Sequence, residues 1–238
     1  MDYYIASCVF TTRFPLLSAR IQAYIRRRFP AMTVVRCCVP NYKIRQFTDA
    51  LPEEQRAAWT ALPDCAAFAA GDTVYSLCHN CSNIVEEIHP GVQVRSLWEL
   101  LLTDTTFPWP DMEGQRVLVQ DCWRSRDRIG EQDAVRKILL RSGFEAEEMP
   151  VNRAQTEFCG TSLLRPQPPR NPKLAPKHYA ENIEGKFEPH TPEEQRAAME
   201  AYCAPFAGRQ ILCYCHYCLE GLKLGGAQAR HLAEVLFP

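Results

Sequence analysis

The amino-acid sequence predicts an α/β protein made of two duplicated Rossmann-like βαβ halves, each with a parallel sheet and with cysteines at the strand carboxyl ends. Three observations lead to this prediction. Apolar runs alternate with helical patterns, the same motifs occur twice in the same order, and cysteines follow the apolar runs in both halves. Strands separated by helices are typical of parallel sheets. We assign residues 1–107 and 108–238 to the two halves.

The first half contains three apolar runs that read as buried strands, with helical spacing between them. The helix that begins at Pro52 has proline at its first position and acids in its first turn, as helix starts often do. The strands are predicted at residues 3–7, 33–36 and 73–77, and the helices at 16–29, 52–62 and 82–88.

The second half repeats this order. Its strands are predicted at residues 116–120, 145–149 and 210–214, and a helix at 134–142. Residues 103–114, with Pro108-Trp109-Pro110, read as the connector between the halves, because proline disfavours continuing a helix or strand. Residues 165–176 contain five prolines and are predicted to form an insertion loop of the second half.

Sequence identity between the halves supports duplication independently of the cysteines. The segment Pro-Glu-Glu-Gln-Arg-Ala-Ala at 52–58 recurs letter for letter at 192–198. The motif Cys-His-Asn-Cys at 78–81 matches Cys-His-Tyr-Cys at 215–218. Because the order of the matches is preserved, duplication is the economical interpretation.

Two groups of cysteines stand at matching places in the halves. The first cysteine set is Cys8, Cys37, Cys38, Cys78 and Cys81, and the second cysteine set is Cys122, Cys159, Cys215 and Cys218. Ligand sites of open α/β folds lie at the carboxyl edge of the sheet, so each set is expected to converge there. The C-x-x-C pairs should open helices, where the helix dipole favours thiolate. The neighbours Cys37 and Cys38 must sit in a turn to serve one site, because strand neighbours point to opposite faces.

Composition limits the classes of function. The chain has 238 residues, twelve cysteines and a formal net charge of −1, which argues against binding nucleic acid or a membrane surface. No segment approaches a membrane span and no leader is visible, so we expect a cytoplasmic protein. In a reducing compartment, grouped cysteines indicate metal or redox chemistry rather than disulfides. The short basic run Arg26-Arg27-Arg28 is interpreted as a solvated helix end.

The arrangement resembles the cysteine-rich (CCG) domains that occur as a pair in the cysteine-rich subunit of heterodisulfide reductase and in related iron–sulfur proteins. The resemblance rests on an upstream Cys, a distant Cys-Cys pair, a distant C-x-x-C and duplication of the whole. It implies a noncubane [4Fe-4S] cluster on the first cysteine set, which exchanges electrons with a small thiol, disulfide or other acceptor. It also implies a ferredoxin-like or flavin-containing redox subunit as partner, since the chain itself shows no flavin or nucleotide fingerprint.

The chain departs from the family pattern at several positions. Val39 stands at the motif glycine in the first half, and Phe158 replaces the leading cysteine of the pair in the second, where Gly160 is kept. Cys213 has no counterpart in the first half and lies two residues before Cys215. It therefore shares a strand face with Cys215 and is a candidate for the missing ligand.

Other interpretations of the cysteines remain open. Four thiolates also suit structural zinc, above all in the second half, which gives a second functional class: a non-catalytic module that folds around metal or docks to a complex. A thioredoxin-like C-x-x-C is a further alternative, but it leaves Cys8, Cys37 and Cys38 unexplained. Buried cysteines can also simply pack, and we assign that role to Cys65 and Cys203 on helices before the third strand.

Charged side chains near the two sets have two interpretations each. His79 and His216, inside the two C-x-x-C motifs, are candidate proton donors to a cluster or to bound sulfur, or else they hydrogen-bond the local backbone. Arg124 and Arg126 follow Cys122 and either bind an anionic substrate or face solvent.

Overall fold

A computed structural model describes residues 1–166 and 172–238. The chain forms two compact units, the first comprising Met1–Thr106 with Phe237–Pro238 and the second Phe107–Leu236. Part of the proline-rich segment predicted as an insertion, residues 167–171, lies outside the described residues. In the described residues, no helix is both long and apolar enough to cross a membrane.

The first unit is a parallel four-stranded sheet in the order β2-β1-β3-β4. Its strands are β1 (Asp2–Ile5), β2 (Thr33–Val35), β3 (Thr73–Ser76) and β4 (Gln93–Ser96). Its helices are α1 (Cys8–Arg13), α2 (Pro15–Arg28), α3 (Ile44–Asp49), α4 (Glu53–Thr60), α5 (His79–Ile88) and α6 (Leu97–Thr103). The central strand β1 carries three consecutive buried residues, Tyr3, Tyr4 and Ile5, because helices cover both faces of a parallel sheet.

The second unit repeats this topology, with the sheet order β6-β5-β7-β8 and all pairs parallel. Its strands are β5 (Arg116–Gln120), β6 (Glu145–Glu148), β7 (Gln210–Cys213) and β8 (Gln228–His231). Its helices are α7 (Ile129–Arg141), α8 (Pro176–Tyr179), α9 (Pro192–Cys203), α10 (His216–Leu224) and α11 (Leu232–Leu236). The predicted class, two α/β halves with parallel sheets, is confirmed.

Several elements were not predicted from the sequence. The edge strands β4 and β8 are short and largely polar, so they lack the apolar run by which the other strands are recognised. The helix of the repeated heptapeptide begins at Glu53, with Pro52 as its N-cap rather than its first residue. Cys65 lies in the loop after this helix, whereas Cys203 ends α9, so the expectation that both stand on helices was wrong for Cys65.

A buried carboxylate links helix α2 to the end of α6 in the first unit. Asp104 is 6% exposed and accepts hydrogen bonds from Tyr24 Oη at 2.8 Å and from Arg28 Nε and Nη2, both at 2.8 Å. The Arg28 guanidinium holds the pKa of Asp104 well below its usual range. The carboxyl end of α2 is thus fastened to the end of α6 by an ion pair.

We expect Asp104→Asn to lower the free energy of unfolding by about 2 kcal/mol, because Arg28 loses its charged acceptor. A depressed folded pKa means that the carboxylate stabilises the protein above the unfolded pKa of about 4, and that this contribution is lost as the pH falls below it. Denaturant titration at several pH values should show the difference between variant and wild type narrowing in acid. Asp49→Asn is the control, because the Arg45–Asp49 pair is exposed and its loss should change stability little.

Candidate metal centres

The first cysteine set begins at the ends of the two central strands of the first sheet. Cys8 starts α1 just after β1, and Cys78 is the N-cap of α5 just after β3. Because β1 and β3 are parallel neighbours, their carboxyl ends meet at one edge. From β1 the chain moves outward to β2 and then returns to β3 on the other side, so this edge is the topological switch point where α/β folds bind ligands.

The adjacent pair Cys37 and Cys38 follows β2 in a turn, as the sequence requires of two neighbours that serve one site. The backbone N–H of Cys37 donates to the carbonyl of Asp64 at 2.8 Å, and that of Arg36 donates to the carbonyl of Pro63 at 2.9 Å. These bonds fasten the turn to the loop after α4. Cys37 is 2% exposed and Cys38 is 7% exposed, so both are buried.

The five thiols of the first cysteine set form two hydrogen-bonded groups, Cys8 with Cys37 and Cys38 with Cys78 and Cys81, and charge on one group raises the pKa of thiols in the other. Cys37 is hydrogen-bonded to Cys8, and this bond, together with burial, raises the pKa of the Cys37 thiol far above its usual value. Cys81 is hydrogen-bonded to both Cys38 and Cys78, and the bond to Cys81 raises the pKa of Cys78. The structure therefore brings together all five residues that the sequence assigned to one site.

Ionisation of one thiol in this set makes ionisation of its neighbours less favourable. Besides the hydrogen bond to Cys8 and burial, the charges of Cys8, Cys81 and Asp64 all raise the pKa of Cys37. Tyr4 on β1 is next to the set, since burial and the charges of Cys81 and Cys78 raise the pKa of its hydroxyl. Buried thiols that disfavour one another's ionisation are suited to a cation that lets them ionise together.

The second cysteine set has the same positions in the second unit. Cys122 follows β5, and Cys215 is the N-cap of α10 after β7. Burial raises the pKa of Cys122 well above its usual value, and hydrogen bonds with Cys159, Cys215 and Cys218 raise it further. The Sγ atoms of Cys122 and Cys159 are 3.8 Å apart. Four buried thiols thus converge around Cys122.

Cys159 differs from the other thiols because two donors face its sulfur. Arg124 Nε donates to Cys159 Sγ at 3.2 Å and Ser162 Oγ donates to it at 2.8 Å. Burial alone would raise the pKa of Cys159, but the hydrogen bond with Cys122, the charge of Arg124 and the Ser162 hydroxyl lower it to about 6. Within the second cysteine set, Cys159 is therefore the thiol whose ionisation the neighbouring protein groups favour.

Phe158 fills the place where a fifth cysteine would stand. Its ring stacks on Tyr202, with centroids 4.2 Å apart, and both rings line a cavity of about 350 Å³ beside Cys159. Lys186 and Glu188 also line this cavity, so it joins an apolar wall to charged groups of both signs. The place of a fifth ligand is thus taken by an aromatic wall next to a space of small-molecule size.

Gly160 lets the loop of Cys159 touch helix α10. Its φ angle is +56°, and a Cβ added there would lie 1.9 Å from the carbonyl oxygen of Tyr217. In the first unit, where Val39 stands at this place, positive φ angles occur at Asn41 and Lys43 instead. The motif glycine is therefore retained where the backbone approach demands it.

A buried carboxylate ties together the segments that carry the second cysteine set. Asp121, directly before Cys122, accepts from Tyr214 Oη at 2.6 Å, from Arg136 Nη1 at 2.5 Å and from the backbone N–H of Arg153 at 2.7 Å. Burial raises the pKa of Asp121, but Arg136 and Tyr214 lower it below its usual value. The residue was missed from the sequence, although a carboxylate directly before a strand-end cysteine is a recognisable signal.

Cys213, predicted as a replacement ligand, points toward the sheet backbone. Its thiol donates to the carbonyl oxygens of Arg230 at 3.6 Å and Cys215 at 3.8 Å, and burial raises its pKa well above the usual value. Cys203, predicted to pack, is buried and its thiol faces the Leu222 carbonyl at 3.8 Å.

We expect Cys213→Ser to leave the metal content of the protein unchanged, because a hydroxyl keeps the hydrogen bonds to these two carbonyls. Elemental analysis of the purified variant checks this expectation. A loss of metal equal to that of a Cys218→Ser variant would instead assign Cys213 to the ligands.

The two histidines of the C-x-x-C motifs occupy equivalent positions. His79 and His216 are the first residues of α5 and α10, each directly after an N-cap cysteine, and they are 3% and 2% exposed. The His216 ring is 4.3 Å from that of Tyr217. Both imidazoles are therefore buried, each next in the chain to a cysteine of its set.

Among the twelve cysteines, all within the described residues, the structure forms no disulfide. The buried thiols of each unit can therefore hold metal, since four or five sulfur donors converge at one sheet edge. No family model, curated protein or solved structure matches the chain.

Proposed function

We propose that this chain is an iron–sulfur redox protein that resembles the cysteine-rich subunit of heterodisulfide reductase. The first cysteine set holds a noncubane-type [4Fe-4S] cluster, and the second holds a cluster or zinc. The observation that carries the proposal is the convergence of five buried thiols, joined in two hydrogen-bonded groups, at the switch point of the first sheet. Four thiolates satisfy zinc or a cubane cluster, so the fifth favours a larger iron–sulfur core.

The donor set fits such a group chemically. Thiolates are the ligands of iron–sulfur clusters, and the surrounding burial and hydrogen bonds set the reduction potential. Bound there, the cluster would supply electrons and an open iron for sulfur. The residues of this chain would hold it with Cys8, Cys37, Cys38, Cys78 and Cys81.

The reaction class that we propose is electron exchange with a small thiol or disulfide. Reducing a disulfide takes two electrons and two protons and releases two thiols. The electrons would come from a ferredoxin-like or flavin-containing subunit, and His79 and His216 are the candidate proton donors.

A second candidate function, metal-dependent folding or docking without redox chemistry, is favoured by the second unit. Its set has four thiols, since Phe158 stands at the fifth position and stacks on Tyr202. Four converging thiols suit tetrahedral zinc, which contributes to folding and carries no electrons.

The test is to measure iron, acid-labile sulfide and zinc per chain on anaerobically purified protein, with electron paramagnetic resonance spectra of oxidised and reduced samples. Abundant iron and sulfide with a redox-dependent spectrum are expected. Zinc with negligible iron would contradict the redox proposal and favour the structural function. Protein that binds neither metal would contradict both.

A further inference from the structure

Arg124 is a buried cation that lies next to the second cysteine set. It is 8% exposed and lies in the 3-10 turn Trp123–Ser125 that follows Cys122. The backbone N–H of Trp123 donates to the carbonyl of Phe158 at 2.8 Å, so this turn is fastened to the residue next to Cys159. This backbone hydrogen bond brings the Arg124 guanidinium close to the Cys159 sulfur.

The guanidinium is fixed on three sides. Its Nε donates to Cys159 Sγ at 3.2 Å and its Nη1 donates to Tyr179 Oη at 3.2 Å. Its Cζ is 5.2 Å from the ring centroids of both Tyr179 and Tyr217. Planar stacking and a directed N–H are properties of arginine that lysine does not share.

A buried cation is costly unless it faces a negative charge. Arg124 faces the Cys159 sulfur and the rings of Tyr179 and Tyr217. The position that matches Arg124 in the first unit, two residues after the strand-end cysteine, is Phe10, which is fully buried and carries no charge. The two cysteine sets thus differ in their surrounding charge.

We infer that Arg124 is the fixed counter-charge of a metal centre on the second cysteine set, and that its Nε hydrogen bond to Cys159 Sγ holds this sulfur in place as a ligand. The inference rests on the proposed function, because it requires that this set binds metal. Outer groups that bond to metal ligands typically change metal affinity about 10–100-fold when removed. Arg124 acts through Cys159 and is therefore a positioning residue.

The experiment measures release of metal from the anaerobically purified full chain to a chromogenic chelator. The phase that belongs to the second unit is identified by its loss in Cys218→Ala. In Arg124→Gln we expect this phase to be at least about tenfold faster than in wild type, with the release from the first unit unchanged. Arg124→Lys keeps the charge but loses the fixed Nε donor, so its rate should lie between the two.

Arg126→Gln is the matched control. Arg126 is two residues further on, half-buried against the Trp123 ring and paired with Glu157 at 3.9 Å. Its removal should leave both release phases at wild-type rates. Thermal unfolding followed by circular dichroism identifies any variant that does not fold. If Arg124→Gln does not fold, the release rate of Arg124→Lys alone tests the inference.

A wild-type release rate in Arg124→Gln overturns the inference, and a wild-type rate in Arg124→Lys overturns the role of the hydrogen bond. Metal confined to the first unit, with no phase that Cys218→Ala removes, also overturns it while leaving the proposed function intact. Wild-type protein without bound metal contradicts the proposed function itself.

Discussion

Cys38→Ala is expected to remove the metal of the first unit while leaving the fold in place. Cys38 contributes a thiol that is hydrogen-bonded to Cys81, at the point where the pair after β2 meets the C-x-x-C of α5. A [4Fe-4S] core that loses this ligand should be lost as a whole, which lowers the iron content by about four atoms per chain. The sheet core does not depend on the side chain, so the loss of stability of the metal-free protein should be about 1 kcal/mol.

The measurements are iron and sulfide per chain, the paramagnetic resonance spectrum and the far-ultraviolet circular dichroism. Cys65→Ala is the matched control, because Cys65 is a cysteine of the same unit whose thiol faces the carbonyl of Ala66 at 3.5 Å. It should retain all its iron. Full iron and redox activity in Cys38→Ala would refute the assignment of this ligand.

Gly160→Ala is expected to disrupt the second unit far more than its single methyl group suggests. The new Cβ would lie 1.9 Å from the carbonyl oxygen of Tyr217, and a Cβ at the facing Gly221 would lie 2.4 Å from Gly160 Cα. Both neighbours are backbone, so the loop and α10 must separate. Overpacking together with a left-handed φ should cost about 3 kcal/mol.

Because α10 carries Cys215 as its N-cap and Cys218 in its first turn, this separation should also weaken metal binding by the second unit. Unfolding by denaturant and metal content per chain are the measurements. Gly208→Ala is the control, since Gly208 has a φ of +77° with nothing within 4 Å of an added Cβ. Its cost should be limited to about 1 kcal/mol of backbone strain. Equal stability of the two variants would show that the close approach is not required.

The sequence identified the strands best where burial is continuous. The three consecutive buried residues of β1 gave the run from which that strand was predicted. β4 and β8 were missed because they are largely polar, and their residues alternate between exposed and more buried positions. The strand β6 was predicted as an added strand of the second half, although all four of its residues are exposed.

The functional residues divide in the same way. Cysteine positions follow from spacing, since a residue just after a parallel strand must lie at the carboxyl edge of the sheet. The role of Arg124 did not follow, because its partner Tyr179 is 55 residues away in the chain and no local pattern distinguishes it from Arg126. Asp121, Ser162 and Tyr4 were also missed from the sequence.

The sequence by itself determined the duplication, the α/β class and the two cysteine sets, because these depend on periodicity and on the order of elements along the chain. The tertiary structure alone decided which groups surround each sulfur. In the folded chain, Arg124 and Ser162 donate hydrogen bonds to Cys159 Sγ. The Cys213 thiol points toward backbone carbonyls, and the Phe158 ring stacks on that of Tyr202. Such contacts depend on how segments pack after the chain has folded. The burial that shifts the pKa of a side chain also exists only in the folded protein.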